Sequence, residues 1–206
     1  TALLEADQGQ GIVVAHRAMA EAVAIARKQG VGAVGVRNAS HCGAIGLYTR
    51  QAARAGCVGF AVTHADSVAV PHGGRRVFQG TNPISFAFPR AGGEPVCLDM
   101  ATTSVPFNRV RNARREGHPL PPDVAVDANG EPTTDANAAV AVTPLGGRDY
   151  GHKGYALALV VDLLCGPLLG NPYGPHIPSM FHAMDQPRRL GAFFVALESR
   201  PELQSR

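Results

Sequence analysis

The stretch Gly30-Val31-Gly32-Ala33-Val34-Gly35 decides how this chain is read. Its glycines fit G-x-G-x-x-G, the fingerprint of a Rossmann dinucleotide fold. That fingerprint works only after a strand and at the start of a helix, where free backbone N–H groups meet the pyrophosphate. Here the order is reversed. Residues 12–29, IVVAHRAMAEAVAIARKQ, repeat apolar side chains every three or four positions, and Gly30 stands where such a helix ends. The next residues, VGAVGVRN (31–38), read as a short strand of β-branched and small side chains. The acidic residue that the fingerprint needs about 20 positions on is also missing. Nothing between 36 and 65 is acidic. The glycines therefore mark a helix stop and a strand packed closely beneath a helix.

Working outward, AIGLYTRQAARA (44–55) reads as a helix closed by Gly56, and VGFAVTHA (58–65) as a second strand. SFAFP (85–89) and EPVCLDMA (94–101) are two more strands at hairpin spacing. SVPFNRVRNARRE (104–116) includes a short helix, and VDANGEPTTDANA (126–138) is a polar loop with an Asn-Gly turn. HKGYALALVVDLLCG (152–166) is apolar throughout and is expected to be a buried helix. NPYGPHIPSM (171–180) is a Pro/Gly loop, and LGAFFVALE (190–198) a final strand. This order predicts an α+β (mixed α/β) fold, a mixed sheet packed with helices, rather than a doubly wound parallel sheet. We divide it into a core domain, 1–146, and a segment of core helix, loop and returning strand, 147–206.

Composition narrows the function classes. The chain is 206 residues, 45% hydrophobic and 17% charged. A charged fraction below the usual ~25% implies covered surface, hence self-association, as a homodimer. The net charge is +3, and the Arg75-Arg76, Arg114-Arg115 and Arg188-Arg189 pairs are scattered, which speaks against nucleic acid. Four cysteines, at 42, 57, 97 and 165, form no C-x-x-C motif and read as reduced thiols of a cytoplasmic protein. No apolar run reaches the ~18 residues of a membrane span. The longest candidate, 155–170, carries Asp162 and Pro167. The first residues show no leader signature, and both ends read as cut.

Three places carry possible chemistry. His41 follows the first strand, between Ser40 and the glycines 43 and 46. A core histidine needs no glycines around it, whereas a general base facing a cleft does, and imidazole exchanges a proton near neutral pH. His64-Ala65-Asp66 ends the second strand, and Asp66 beside His41 would orient the ring and stabilise its protonated form. His41, His64, Asp66 and His72 could instead hold a metal in a hydrolase, although H-x-D-x5-H is not a specific ligand spacing. A serine hydrolase lacks its G-x-S-x-G elbow. Lys153, between Gly151 and Gly154, opens the apolar helix at the end where the helix dipole disfavours a cation. That suits an anionic ligand.

Taken together, NASHCGAIGLY, GGRRVFQGTNPISFAFP, LDMATTSV, GEPTTD and GHKGYALALVVDLLCGPLLG resemble, in order and spacing, the malate/L-lactate/ureidoglycolate dehydrogenase family, over about residues 1–194. These are non-Rossmann, NAD- or NADP-dependent oxidoreductases of 2-hydroxy acids. The resemblance implies that His41 is the proton acceptor and that Asp66 is an acidic partner. It implies cofactor contacts at Ala65, Asp99, Met100, Ala101 and Lys153, and a substrate pocket shaped by Thr81, Asn82 and Pro83. It implies no metal. Residues 1–146 become the cofactor-binding core. Members of the family are longer at both ends, so the chain reads as a fragment, and an inactive binding subunit stands as a further alternative. The partner is a small 2-hydroxy or 2-keto acid, with cyclic imines as related substrates, and neither nucleic acid nor membrane.

Overall fold

The structure, a computed structural model, describes residues 1–199. A six-stranded sheet is built from β1 (Ala2–Glu5), β2 (Val31–Ala39), β3 (Cys57–Thr63), β4 (Ile84–Phe88), β5 (Val96–Met100) and β8 (Leu190–Glu198). Its order is β1-β2-β8-β3-β4-β5. β1 runs parallel to β2 and every other pair is antiparallel. Because β8 lies antiparallel between β2 and β3, those two strands run the same way, and their C-terminal ends reach the same edge. The mixed, non-Rossmann sheet agrees with the sequence reading. β1, only four residues long, is not among the strands predicted from the sequence.

Helices α1 (Gly11–Gln29) and α2 (Gly46–Arg54) cover one face. Their apolar residues meet Val34, Val36, Ala61, Phe194 and Ala196 in the main core. The glycines of the opening stretch serve this packing. Gly30 turns out of α1 with φ +83°, and a Cβ at Gly32 would lie 1.9 Å from the Ala22 carbonyl oxygen. Only glycine permits both.

Helix α5 (His152–Cys165) covers the other face, with Val161 and Cys165 packed on Val62. It is not buried as expected: Leu157, Val160 and Leu163 are exposed. Among the described residues, 152–169 is also long and apolar enough to cross a membrane by length and composition, contrary to the sequence reading. Its Val161 and Cys165 nevertheless sit in the protein core.

Between β5 and α5, helix α3 (Phe107–Glu116), the short strands β6 (Ala125–Val126) and β7 (Ala141–Val142), and a short helix α4 (Gly147–Tyr150) form a side lobe. Its own small core includes Val110, Leu120 and Val142.

Candidate active site

His41 sits just past the end of β2. The turn is made by Asn38, with φ +57°, and by Ser40. The Ser40 hydroxyl donates to the Gly9 carbonyl and accepts the N–H of Gly11, the first residue of α1, at 2.9 Å. Tyr48, buried in the core, donates to the Cys42 carbonyl. The turn is thus pinned on both sides of His41, whose own side chain is exposed.

The Gly43 N–H donates to Nδ1 of His41 at 3.0 Å. In the neutral ring this places the proton on Nε2 and leaves Nδ1 as the basic nitrogen, oriented by Gly43. Partial burial lowers the pKa of His41; the positive charge of Arg188 lowers it further, and the negative charge of Asp66 raises it. The free ring is therefore kept in the form that accepts a proton.

Asp66 is buried, and its Oδ2 accepts the Met180 N–H at 2.9 Å. Among the described residues no hydrogen bond joins it to His41, so it does not orient the ring as expected. It reaches His41 through its charge, and Gly43 does the orienting. Arg188 was missed by the sequence reading. It lies two residues before β8, and its Nη1 is buried with no hydrogen-bond partner among the described residues. The sequence signal available was an Arg-Arg pair entering an apolar strand.

The other expected site residues separate into fold-making and open groups. Asn82 is fully buried. Its Oδ1 accepts the Ala65 N–H and its Nδ2 donates to the Ala158 carbonyl. Its buried amide holds α5 and the Ala65 backbone together, and its remaining N–H lies toward Asp162 rather than toward solvent. Thr102 ties the chain after Ala101 back to the Thr81 and Asn82 carbonyls, with Pro83 next in line before β4. Asp99 accepts the N–H of Gly46 at 2.8 Å, so it caps the start of α2. Met100 ends β5, and Ala101 follows it.

Lys153 lies in the first turn of α5, exposed, with Nζ 5.5 Å from the centre of the Tyr150 ring. Among the described residues it pairs with no carboxylate. Its neighbour Gly154 does not open the backbone to a ligand: the N–H of Gly154 already donates to the Leu145 carbonyl, and a Cβ there would strike Leu145. A cleft of about 330 Å³ between His72, Asp123 and Arg148 adjoins α4 but contains neither His41 nor Lys153.

The four proposed metal ligands are not brought together. His64 is buried, with Nε2 bonded to the Gly191 N–H, and His72 stands edge-on to His152 at 5.6 Å. Among the described residues no three His, Cys, Asp or Glu side chains are grouped to hold an ion.

Residues 1–202 match the malate/L-lactate dehydrogenase family. The chain belongs to that family. It is 40% identical over 197 residues to ureidoglycolate dehydrogenase (NAD(+)) of Escherichia coli O157:H7, covering 96% of this chain and 55% of the relative. It is 41% identical over 182 residues to malate dehydrogenase of Pyrococcus abyssi, covering 85% of this chain and 50% of the relative. Among solved structures, malate dehydrogenase from Entamoeba histolytica superposes with a TM-score of 0.89 at 30% identity, covering 100% of this chain and 60% of that one. The chain thus spans about half the length of the curated relatives it matches. These relatives are dehydrogenases, which fits the oxidoreductase reading and not the hydrolase one.

Proposed function

We propose that this chain carries the proton-transfer and cofactor-facing part of an NAD- or NADP-dependent 2-hydroxy-acid dehydrogenase, with His41 as general base and acid. The carrying observation is the turn after β2. It presents an exposed imidazole on a pinned backbone, with one positive and one negative charge acting on it.

The residues fit a dinucleotide without a Rossmann helix start. Lys153 is an exposed cation with no carboxylate partner among the described residues, suited to a phosphate, and the Ala65 and Ala101 backbones follow strands β3 and β5 on either side of β4. Met100 and Asp99 would line the same edge. The nicotinamide, when bound, supplies the hydride acceptor. In oxidation His41 takes the hydroxyl proton of the substrate as C2 gives up hydride, and Asp66 offsets the charge that appears on the ring. In reduction the protonated ring returns that proton to the keto oxygen. Arg188, with an unpaired nitrogen among the described residues, stands ready for an anionic group. Thr81 and Pro83 would bound the pocket that Asn82 holds in place.

The exposed leucines and valine of α5 support a homodimer in which a second copy covers this face. Sedimentation checks it, and a monomer mass at micromolar concentration would remove it. Titration with NADH and NADPH, followed by a panel of malate, lactate, sulfolactate and ureidoglycolate, tests the main reading. Binding of neither nucleotide would leave only a non-enzymatic subunit.

A further inference from the structure

Directly behind the proposed site lies a buried pair that the reaction does not use. His64 is 1% exposed and Asp162 2%. His64 is the residue before Ala65 at the end of β3, and Asp162 lies on α5, the helix that Lys153 opens. The Gly191 N–H, in β8, donates to Nε2 of His64 at 2.8 Å. A nitrogen that accepts a hydrogen bond carries no proton, so the ring is neutral and its one proton sits on Nδ1. That Nδ1 is 3.8 Å from Oδ1 of Asp162. Nδ1 and both carboxylate oxygens lack a well-formed hydrogen bond among the described residues, although the Asn82 amide and the Gly174 N–H lie near enough to Asp162 to stabilise its charged form. A buried imidazole N–H and carboxylate oxygen that approach without a full hydrogen bond are costly, and a carboxylate in the core is costlier still. A packing role alone would be served better by an apolar residue.

We propose that His64 and Asp162 are positioning residues: together they fix α5 against the ends of β3 and β8, and so set the relative placement of the two segments that would hold the nicotinamide cofactor, Ala65–Asp66 and Lys153. This rests on the functional reading above. The neighbouring bonds run along the same seam. Asn82 joins the Ala65 N–H to the Ala158 carbonyl, and Asn171 joins the Cys165 carbonyl to the Asn38 N–H. Thr63 donates to the Gly191 carbonyl. Every one of these ties α5 or β8 to the strand ends beside the site. The pair lacks about 1 Å of the approach that a hydrogen bond needs.

The pair also has a signature that bulk packing lacks. Burial pushes Asp162 up to about 6 from 3.8, and pushes His64 down to about 4 from 6.5. The groups facing them are the Asn82 amide, the Gly174 and Gly191 N–H groups and the Cys165 thiol, which burial pushes well up and keeps neutral. None of these is charged. The raised Asp162 contributes a stability that falls as pH rises from about 4 to 6. The lowered His64 contributes one that rises from about 4 to 6.5. In the wild type the two slopes oppose each other.

The experiment compares the wild type with Asp162→Asn and His64→Gln, using thermal midpoints from pH 4 to 7 and NADH and NADPH titrations. Relative to wild type, the midpoint of Asp162→Asn should rise with pH and that of His64→Gln should fall. Asp162→Asn should keep or raise its midpoint at pH 7 while weakening nucleotide binding roughly tenfold, less than the loss a ~1 Å misplacement can produce. A lower midpoint with an unchanged dissociation constant would overturn the positioning role, as would difference curves of the same sign. If Asp162→Asn does not fold, His64→Gln carries the same readings. If the wild type binds neither nucleotide, the functional reading fails. The clamp is then judged by amide hydrogen exchange: faster exchange in both 57–66 and 152–165 of Asp162→Asn supports it, and unchanged exchange in either overturns it.

Discussion

The turns after β2 and after β3 occupy equivalent places, since both strands flank β8 and end at one edge of the sheet. Each carries a histidine. His41 is exposed, its ring held by the Gly43 N–H two residues away. His64 is buried, its ring held by the Gly191 N–H of a strand 127 residues away. One ring is fixed locally and left open; the other is fixed by tertiary structure and closed. Burial lowers the pKa in both cases, but only His41 has full charges of both signs acting on it. The same residue type at the same kind of strand end thus supports two proposed roles, proton exchange by the open ring and positioning by the closed one.

The largest expected effect breaks this comparison if it fails. His41→Ala should lower hydroxy-acid oxidation by at least ~10²-fold, with the fold and nucleotide binding kept. His64→Gln, per folded molecule and at saturating cofactor, should keep the chemical step. Steady-state rates for both variants, paired with circular dichroism, check this. Equal losses in the two would erase the division of roles.

Next comes the cofactor side. Lys153→Met should weaken NADH or NADPH binding by about ten- to a hundredfold, the loss of one charge-assisted contact, and barely change the thermal midpoint. Fluorescence titration reads the first and a melting curve the second. Unchanged affinity would make Lys153 a solvated surface residue stacked on Tyr150.

The charges around His41 can be tested by direction. Arg188 lowers the pKa of the ring and Asp66 raises it. Oxidation needs the neutral ring, so it falls on the acid side of that pKa. Arg188→Met should move this acid limb of kcat/KM to higher pH, and Asp66→Asn should move it to lower pH. Shifts in one common direction would show that neither charge acts as described.

The smallest effect concerns the pin. Ser40→Ala removes the acceptor of the Gly11 N–H and should cost about 1 kcal/mol, or roughly 2–4 °C in a protein of this size. Chemical denaturation checks it. A larger loss in activity than in stability would show that the pin also sets the His41 ring.

Much of this was legible in the sequence. The glycine stretch 30–35 gave its meaning by order alone, since a helix before it and a strand after it exclude a Rossmann start. His41 stood out because glycines surround it. Other features depend on tertiary neighbours. β1 is too short to show a period, and its edge is defined by β2. The open face of α5 is not legible in the sequence, because a helix apolar all round does not reveal which side is covered. Asn82 sits in a motif that looks like a pocket, yet its buried amide is bonded to Ala65 and Ala158, residues far from it in sequence. The buried partner of His64 lies about a hundred residues on, beyond any local pattern.

Proton transfer by the turn after β2, beside a hydride acceptor, is tested most directly by oxidising a 2-hydroxy acid deuterated at C2. The label is followed by mass spectrometry in wild type and His41→Ala. Deuterium should appear in the reduced nicotinamide of the wild type, with the same transfer slowed at least ~10²-fold in the variant. Label released to solvent, or transfer at an undiminished rate in His41→Ala, would contradict the role given to this turn.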